Sequence, residues 1–214
     1  MGVPRLSTWP VDQRPTPPRR NQGETVRAFI ALELPKNLRD RMGEVVNALD
    51  VGGAKVRWVP TDQMHLTLRF LGDIDNQQLE QIRSALHEAA DAQKTPVNLG
   101  VGGLGAFPNR RNPRVIWVGV THHPGLSEVQ GLLDRSAVDS GIEPEARTWS
   151  PHLTLGRVKY VATDSPLLKR LKSVRVETYY YTCDRVTLFE STLTSEGALY
   201  RPLETVTFGA DKAR

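Results

Sequence analysis

His65-Leu66-Thr67-Leu68-Arg69-Phe70-Leu71-Gly72 and Pro151-His152-Leu153-Thr154-Leu155-Gly156-Arg157 carry the same tetrapeptide, His-Leu-Thr-Leu, twice in a chain of 214 residues. Alternate side chains of a strand point to opposite faces, so His65 and Thr67 share one face and Leu66 and Leu68 the other. His152 and Thr154 stand in the same way against Leu153 and Leu155. The leucines seat each strand on a core. The opposite face presents an imidazole and a hydroxyl about 7 Å apart, from a rise of roughly 3.3 Å per residue.

Outward from these segments the chain repeats a plan. Val26 to Leu34 reads as a buried strand, and Pro35 opens a helix through about Leu49 with Leu38, Met42, Val45, Val46 and Leu49 at helical spacing. A strand near Lys55 to Val59 leads to the strand His65 to Leu71, which Gly72 is expected to close. Asp75 with Gln78 has the form of a capping box, ahead of a stripe through Leu79, Ile82, Leu86 and Ala89. The second half offers strands around Val97 to Leu104 and Arg114 to Val120, a helix from about Pro124 to Val138, and the strand His152 to Val158. An offset of 87 (65 to 152) superposes the copies without a gap, placing Arg27 on Arg114, Phe29 on Ile116, Met42 on Val129 and Val45 on Leu132. Further strands are expected near Arg175 to Leu188 and Leu199 to Thr207. The fold class that follows is α+β, with two pseudo-symmetric lobes, each an antiparallel sheet flanked by helices, and a central cleft.

Composition bounds the function. Residues 1–24 hold five prolines and few aliphatic residues, so a flexible Pro/Arg-rich tail is expected there, a single bilobal domain over 25–208 and a short C-terminal tail over 209–214. The formal charge is +4, and Arg5, Arg14, Arg19 and Arg20 against Asp12 and Glu24 put half of it in the tail. A nearly balanced folded part argues against a protein whose main task is to coat nucleic acid, while leaving room for a local phosphate patch. Apolar runs fall far short of the roughly 20 residues of a membrane span, and no secretory leader is visible, so a cytoplasmic location is expected. Cys183, the only cysteine, lies in an expected strand and reads as core.

Two imidazoles and two hydroxyls converging on a tetrahedral anion would supply the chemistry of phosphodiester hydrolysis. One imidazole takes a proton from water, the other gives one to the departing oxygen, and each contributes about 10² to 10⁴ in rate. Thr67 and Thr154 would hold the non-bridging oxygens as charge develops. A single His-x-Thr on a strand is usually just a half-exposed face; two copies in a duplicated frame favour a catalytic pair. Two histidines fall short of the usual three or four zinc ligands, and neither motif contains a carboxylate or cysteine, so no metal or cofactor is expected. His122 and His123 read as exposed turn residues and His87 as solvated on its helix.

These residues resemble the two-histidine phosphodiesterase superfamily, specifically its RNA 2′,3′-cyclic phosphodiesterase branch, sometimes named for 2′-5′ RNA ligase activity. The resemblance covers about Val26 to Val206. It includes Val26-Arg27-Ala28-Phe29-Ile30-Ala31-Leu32 with Pro35, Phe107, Pro113-Arg114-Val115-Ile116-Trp117-Val118-Gly119, and Leu188-Phe189-Glu190-Ser191 with Gly197, Tyr200 and Leu203. It implies metal-independent cleavage of a 2′,3′-cyclic phosphate at an RNA end to a 2′-phosphate, in a bilobal fold with the motifs in a central cleft. By analogy His65 is the acid on the 3′-oxygen and His152 the base on water, in exchangeable roles. Arg157 matches an arginine the family places on phosphate; strand parity puts it with Leu153 and Leu155, so it reaches the site only if the strand bends or bulges near Gly156. Phe70, Trp58 and Phe107 read either as base contacts or as core, and Arg110, Arg111 and Arg114 either as a basic rim for RNA or as a solvated turn and strand end. The substrate is expected to be an RNA end or a cyclic nucleotide and the protein a monomer, with no membrane partner. Three rival functions stand beside hydrolysis: an RNA-end binding subunit without turnover, action on small cyclic nucleotides or 2′-5′ linkages, and the reverse 2′-5′ ligation.

Overall fold

Strand β1 (Val26–Glu33) leads into helix α1 (Lys36–Leu49), strand β2 (Ala54–Trp58), a 3-10 turn at Thr61–Gln63 and strand β3 (His65–Ile74) in this computed structural model, which describes residues 25–195 and 197–209. Helix α2 (Asn76–Ala92), strands β4 (Val97–Phe107) and β5 (Val115–Val120) and helix α3 (Pro124–Asp139) follow. Then come β6 (His152–Val161), α4 (Pro166–Ser173), β7 (Tyr179–Cys183), β8 (Arg185–Leu193) and β9 (Ala198–Thr207). The expected N-terminal tail, and all but Gly209 of the C-terminal one, lie outside the described residues.

Local chemistry accounts for most boundaries. Pro35, with φ −66°, precedes α1, whose Leu38, Met42 and Leu49 are buried at helical spacing. Asp75 and Gln78 form the expected capping box: the Asp75 carboxylate accepts from the Gln78 N–H at 2.9 Å, and the Asp75 N–H donates to Gln78 Oε1 at 3.1 Å. Such a cap contributes about 1 kcal/mol. Pro124 starts α3, which buries Leu126, Val129, Leu133 and Ala137. Helix α4 has no counterpart among the expected elements. Ser165 caps it and Pro166 opens it, but its eight residues bury only Leu167 and Leu171, too few for a helical period to stand out.

The strands form one antiparallel sheet in the order β7-β4-β5-β6-β3-β1-β8-β9, with β2 added along β6. Two halves of this sheet meet at a single pair, Leu66 opposite Leu153. Beyond it the strands diverge. β3 continues against β1, while β6 runs between β5 and β2. The pseudo-twofold axis therefore passes through the middle of the two tetrapeptides, and Leu66, Leu68, Leu153 and Leu155 are all buried beneath it.

The lobes are not simply the two sequence halves. Helix α1 packs against α4, and its Asn37 Nδ2 donates to the hydroxyl of Tyr179 on β7, in the second sheet. Helix α3 packs against β3 and α2, on the first. Each half thus sends its first helix under the other half's sheet. Strand β2 crosses too, pairing with β6.

Two expectations need correction. Gly72 does not close β3: with φ +71° it carries the backbone through a bulge at Leu71, and the strand continues to Ile74 opposite Val26. The copies also do not superpose without a gap. Leu32 pairs with Leu66 and Val118 with Leu153, so the first strands are related by an offset one residue shorter than the tetrapeptides. Phe29 corresponds to Val115, opposite Arg157, rather than to Ile116.

Candidate active site

The pairing of Leu66 with Leu153 sets the geometry. In an antiparallel pair its neighbours fall into register, His65 beside Thr154 and Thr67 beside His152, all on the face away from the leucines. Cross-strand neighbours of this kind are about 5 Å apart and diagonal ones about 7–8 Å, the scale of one phosphate. All four side chains are partly exposed.

Both imidazoles are oriented by the same device. His65 Nδ1 lies 2.8 Å from the carbonyl of Gln63, and His152 Nδ1 lies 2.7 Å from the carbonyl of Ser150. A carbonyl can only accept, so each Nδ1 carries a hydrogen and Nε2 is left as the reactive nitrogen. Trp149 adds a fixed point: its Nε1–H donates to the Thr67 carbonyl at 3.0 Å, bracing β3 from the segment that precedes β6.

The surroundings of the two rings differ. His65 lies against Phe29 (centroids 4.8 Å apart), edge-on to Tyr200 (5.2 Å) and near Phe189 (6.4 Å). This enclosure strips water from the imidazolium and lowers the His65 pKa to about 4; the Gln63 carbonyl opposes the shift but does not overcome it. His152 has Phe107 edge-on at 5.2 Å and Trp117 at 6.2 Å.

Bulges then decide what else reaches the site. On β6, Gly156 faces Ile116 and Thr154 faces Trp117, leaving Leu155 as an extra residue. The parity of the strand flips there, and Arg157 turns onto the His-Thr face. Gly156 makes the bend feasible: a Cβ on it would fall 2.6 Å from Trp58 Cε3 and 2.9 Å from Val56 Cγ1. The equivalent bulge on β3 is at Leu68, between Arg69 opposite Ile30 and Thr67 opposite Ala31. It puts Phe70 on the site face, 54% exposed, which overturns the core-packing alternative for that ring. It also turns Arg69 inward, where the guanidinium is 2% exposed, pairs with Asp134 (2.9 Å) and Glu145 (3.1 Å), and donates to the Glu143 carbonyl.

A groove of about 710 Å³ runs over this face, lined among others by His65, Thr67, Thr154, Arg157, Phe70 and Tyr200. His152 is not part of its lining. Arg57, opposite Arg157 in the β2–β6 register, also lines the groove, and the charge of both arginines works against the burial that raises the Tyr200 hydroxyl pKa. Sequence reasoning missed Arg57. Its signal was available, since it alternates with the inward Val56 and Trp58, but nothing in the sequence ties β2 to β6.

The remaining candidates divide. Trp58 edges the groove while packing on Gly156 and the core. Phe107 buttresses His152 and Trp117. Arg114, Arg110 and Arg111 are exposed but do not line the groove, and Arg110 donates to the Leu104 carbonyl instead. His87 reaches Glu204 Oε1 at 2.7 Å; His122 is exposed, and His123 sits partly buried at the N-terminus of α3. Burial raises the Cys183 thiol pKa to about 11, a core residue rather than a nucleophile. Among the described residues no three of His, Cys, Asp and Glu come together in a cluster able to hold a metal ion, and no helix is long and apolar enough to cross a membrane.

Comparison with known proteins agrees with this architecture. The sequence profile of the family described as LigT like Phosphoesterase matches twice, over residues 32–117 and 118–200. The RNA 2′,3′-cyclic phosphodiesterase of Methanothermobacter thermautotrophicus is 34% identical over 180 residues, spanning 84% of this chain and 97% of that protein. The enzyme of the same name from Thermotoga maritima is 31% identical, over 83% and 93%. Among solved structures, E. coli LigT complexed with 3′-AMP superposes with a TM-score of 0.72 at 24% identity, over 86% of this chain and 99% of that one. TT0787 of Thermus thermophilus gives 0.70 at 26%, with the same coverage.

Proposed function

The chain belongs to the LigT-like phosphoesterase family, and on that premise we propose that it hydrolyses the 2′,3′-cyclic phosphate at an RNA end to a 2′-phosphate, with His65 and His152 as its acid–base pair. The observation that carries this reading is the Leu66–Leu153 pair, which sets two His-Thr faces side by side with both imidazoles tied through Nδ1. Relatives matched along nearly their whole length are RNA 2′,3′-cyclic phosphodiesterases, which supports the same substrate class.

In this mechanism the cyclic phosphate lies across the axis between the motifs. Water attacks phosphorus opposite the 3′-oxygen, and one Nε2 takes its proton. The P–O3′ bond breaks, and the other Nε2–H protonates the departing 3′-oxygen, leaving the phosphate on the 2′-oxygen. Thr67 and Thr154 donate to the non-bridging oxygens, with Arg157 supplying charge as it builds up there. The family analogy makes His65 the acid. Its enclosure argues for the reverse: burial favours the neutral imidazole, the form a base requires. We therefore give His65 the water proton and His152 the leaving oxygen. Phe70 offers a ring on which the terminal base can stack. The protein acts, in this reading, as a monomer in the cytoplasm and needs no cofactor.

The test is direct. Pure protein with a chelator is incubated with RNA ending in a 2′,3′-cyclic phosphate, and the phosphomonoester is identified. A 2′-phosphate is expected, with His65→Ala and His152→Ala each nearly abolishing turnover while circular dichroism stays unchanged. Full activity in either variant removes the assigned pair, a 3′-phosphate product removes the assigned regiochemistry, and inhibition by chelator removes the metal-independent mechanism.

A further inference from the structure

We propose that the outward face of the β2–β6 ribbon is a track for the single-stranded RNA that leads into the site, with Lys55, Lys159 and Tyr160 as its contacts beyond the reacting nucleotide. This rests on the phosphodiesterase reading and extends it from the terminal phosphate to the strand behind it.

Register establishes the track. Arg57 stands opposite Arg157, Val56 opposite Val158 and Lys55 opposite Tyr160, with Lys159 as the extra residue of a bulge. Residues directly opposite share a face, so Lys55 and Tyr160 lie on the face of Arg57 and Arg157, which line the groove. Val56 and Trp58 alternate to the other side and pack against the core. Lys55 and Lys159 are exposed, and Tyr160 is 66% exposed.

Charge identifies the occupant. Neither β2 nor β6 contains an aspartate or glutamate, and among the described residues Lys55 and Lys159 form no salt bridge. The folded part of the chain is otherwise nearly balanced, so this concentration of cations is local. Cations at a stride of about 6.6 Å along β2, leading away from a phosphate site and carrying one exposed aromatic ring, match the alternation of phosphates and bases in a single strand. A 2′,3′-cyclic phosphate terminates the 3′ side of its RNA, so the strand can leave the groove only through its 5′ nucleotides. The ribbon is continuous with the groove at Arg57 and Arg157, where the next phosphates would emerge.

The experiment compares a 2′,3′-cyclic mononucleotide with a pentanucleotide ending in the same group, for the native chain, Lys55→Ala with Lys159→Ala, and Tyr160→Ala. The mononucleotide should be hydrolysed equally by all three. For the pentanucleotide the double variant should raise KM about 10-fold with kcat unchanged. It should also reduce the slope of log KM on log salt by about 1.4, about 0.7 for each single-strand phosphate that a lysine no longer neutralises. Tyr160→Ala should raise KM about 5-fold or more without changing the salt slope, as removal of a stacking ring does. Equal KM values for the pentanucleotide across all three proteins, or the same change on both substrates, overturn the track. Fluorescence anisotropy of a pentanucleotide ending in a 2′-phosphate separates the two readings. Weaker binding by the variants with no turnover by any protein overturns the hydrolase and keeps the track, whereas unchanged binding overturns the track alone.

Discussion

The histidine roles can be decided by titrating His65. Three aromatic rings hold this imidazole away from water, and its pKa falls to about 4. Around pH 5 such a group is about 90% neutral, whereas one at the ordinary 6.5 is about 3% neutral, a difference of about 30-fold or 2 kcal/mol. The sign follows from the role. A base acts in its neutral form, so the acidic limb of kcat/KM, which reports the free protein, should fall only below about pH 4 to 5. Were His65 the acid, kcat/KM would instead decline as pH rises above about 4. The assay is hydrolysis of a cyclic mononucleotide from pH 4 to 8, with circular dichroism at each pH to show that the chain stays folded. Imidazole ¹⁵N shifts of His65 give the pKa without reference to activity. An NMR titration midpoint near 6.5 refutes the desolvation argument. A midpoint near 4 with kcat/KM declining above it keeps the desolvation and refutes the assignment of His65 as base.

Two further perturbations test how the site is supported. Gly156→Ala drives a methyl into Trp58 and Val56 at 2.6 and 2.9 Å; the urea midpoint should fall by the equivalent of about 1–3 kcal/mol, and an unchanged midpoint would mean that β2 does not press on the bulge. Arg69→Met removes two ion pairs and a hydrogen bond to the Glu143 carbonyl. Asp134 and Glu145 stay more than a third exposed and can rehydrate, so the loss should be about 2–3 kcal/mol, read from the same urea transitions; no loss would mean that these contacts of Arg69 do not stabilise the fold.

What the sequence made legible was local. The capping box at Asp75, the stripe of α2 and the buried leucines of both tetrapeptides each depend on residues within one turn or one strand. The bulges at Leu68 and Leu155 do not, because a bulge is a mismatch of register with a partner strand found elsewhere in the chain. Simple alternation therefore misplaces the residues between one bulge and the next. It groups Arg69 with His65 and Thr67, yet Arg69 is buried; it groups Phe70 and Arg157 with the leucines, yet both line the groove. The crossing of α1, α3 and β2 between lobes is invisible for the same reason, since an apolar stripe says that a face is covered and not by what.

Duplication alone would make the two histidines chemically equal, and a reaction that needs one acid and one base gains nothing from equality. The tetrapeptides and their carbonyl ties at Gln63 and Ser150 have remained equivalent. The supporting strands have not. Because β1 and β5 are shifted by one residue relative to the motifs, Phe29 lies against His65, while the matching position on the other side is Val115 and the rings near His152 are Phe107 and Trp117. β8 and β9 then enclose His65 further with Phe189 and Tyr200. In the proposed mechanism the division of labour thus comes from the strands flanking each motif. It follows that opening the His65 enclosure, as in Tyr200→Ala, should move the acidic limb of kcat/KM toward higher pH while leaving both carbonyl ties intact. A limb that stays in place would mean that the Tyr200 ring is not part of what keeps water from the imidazole.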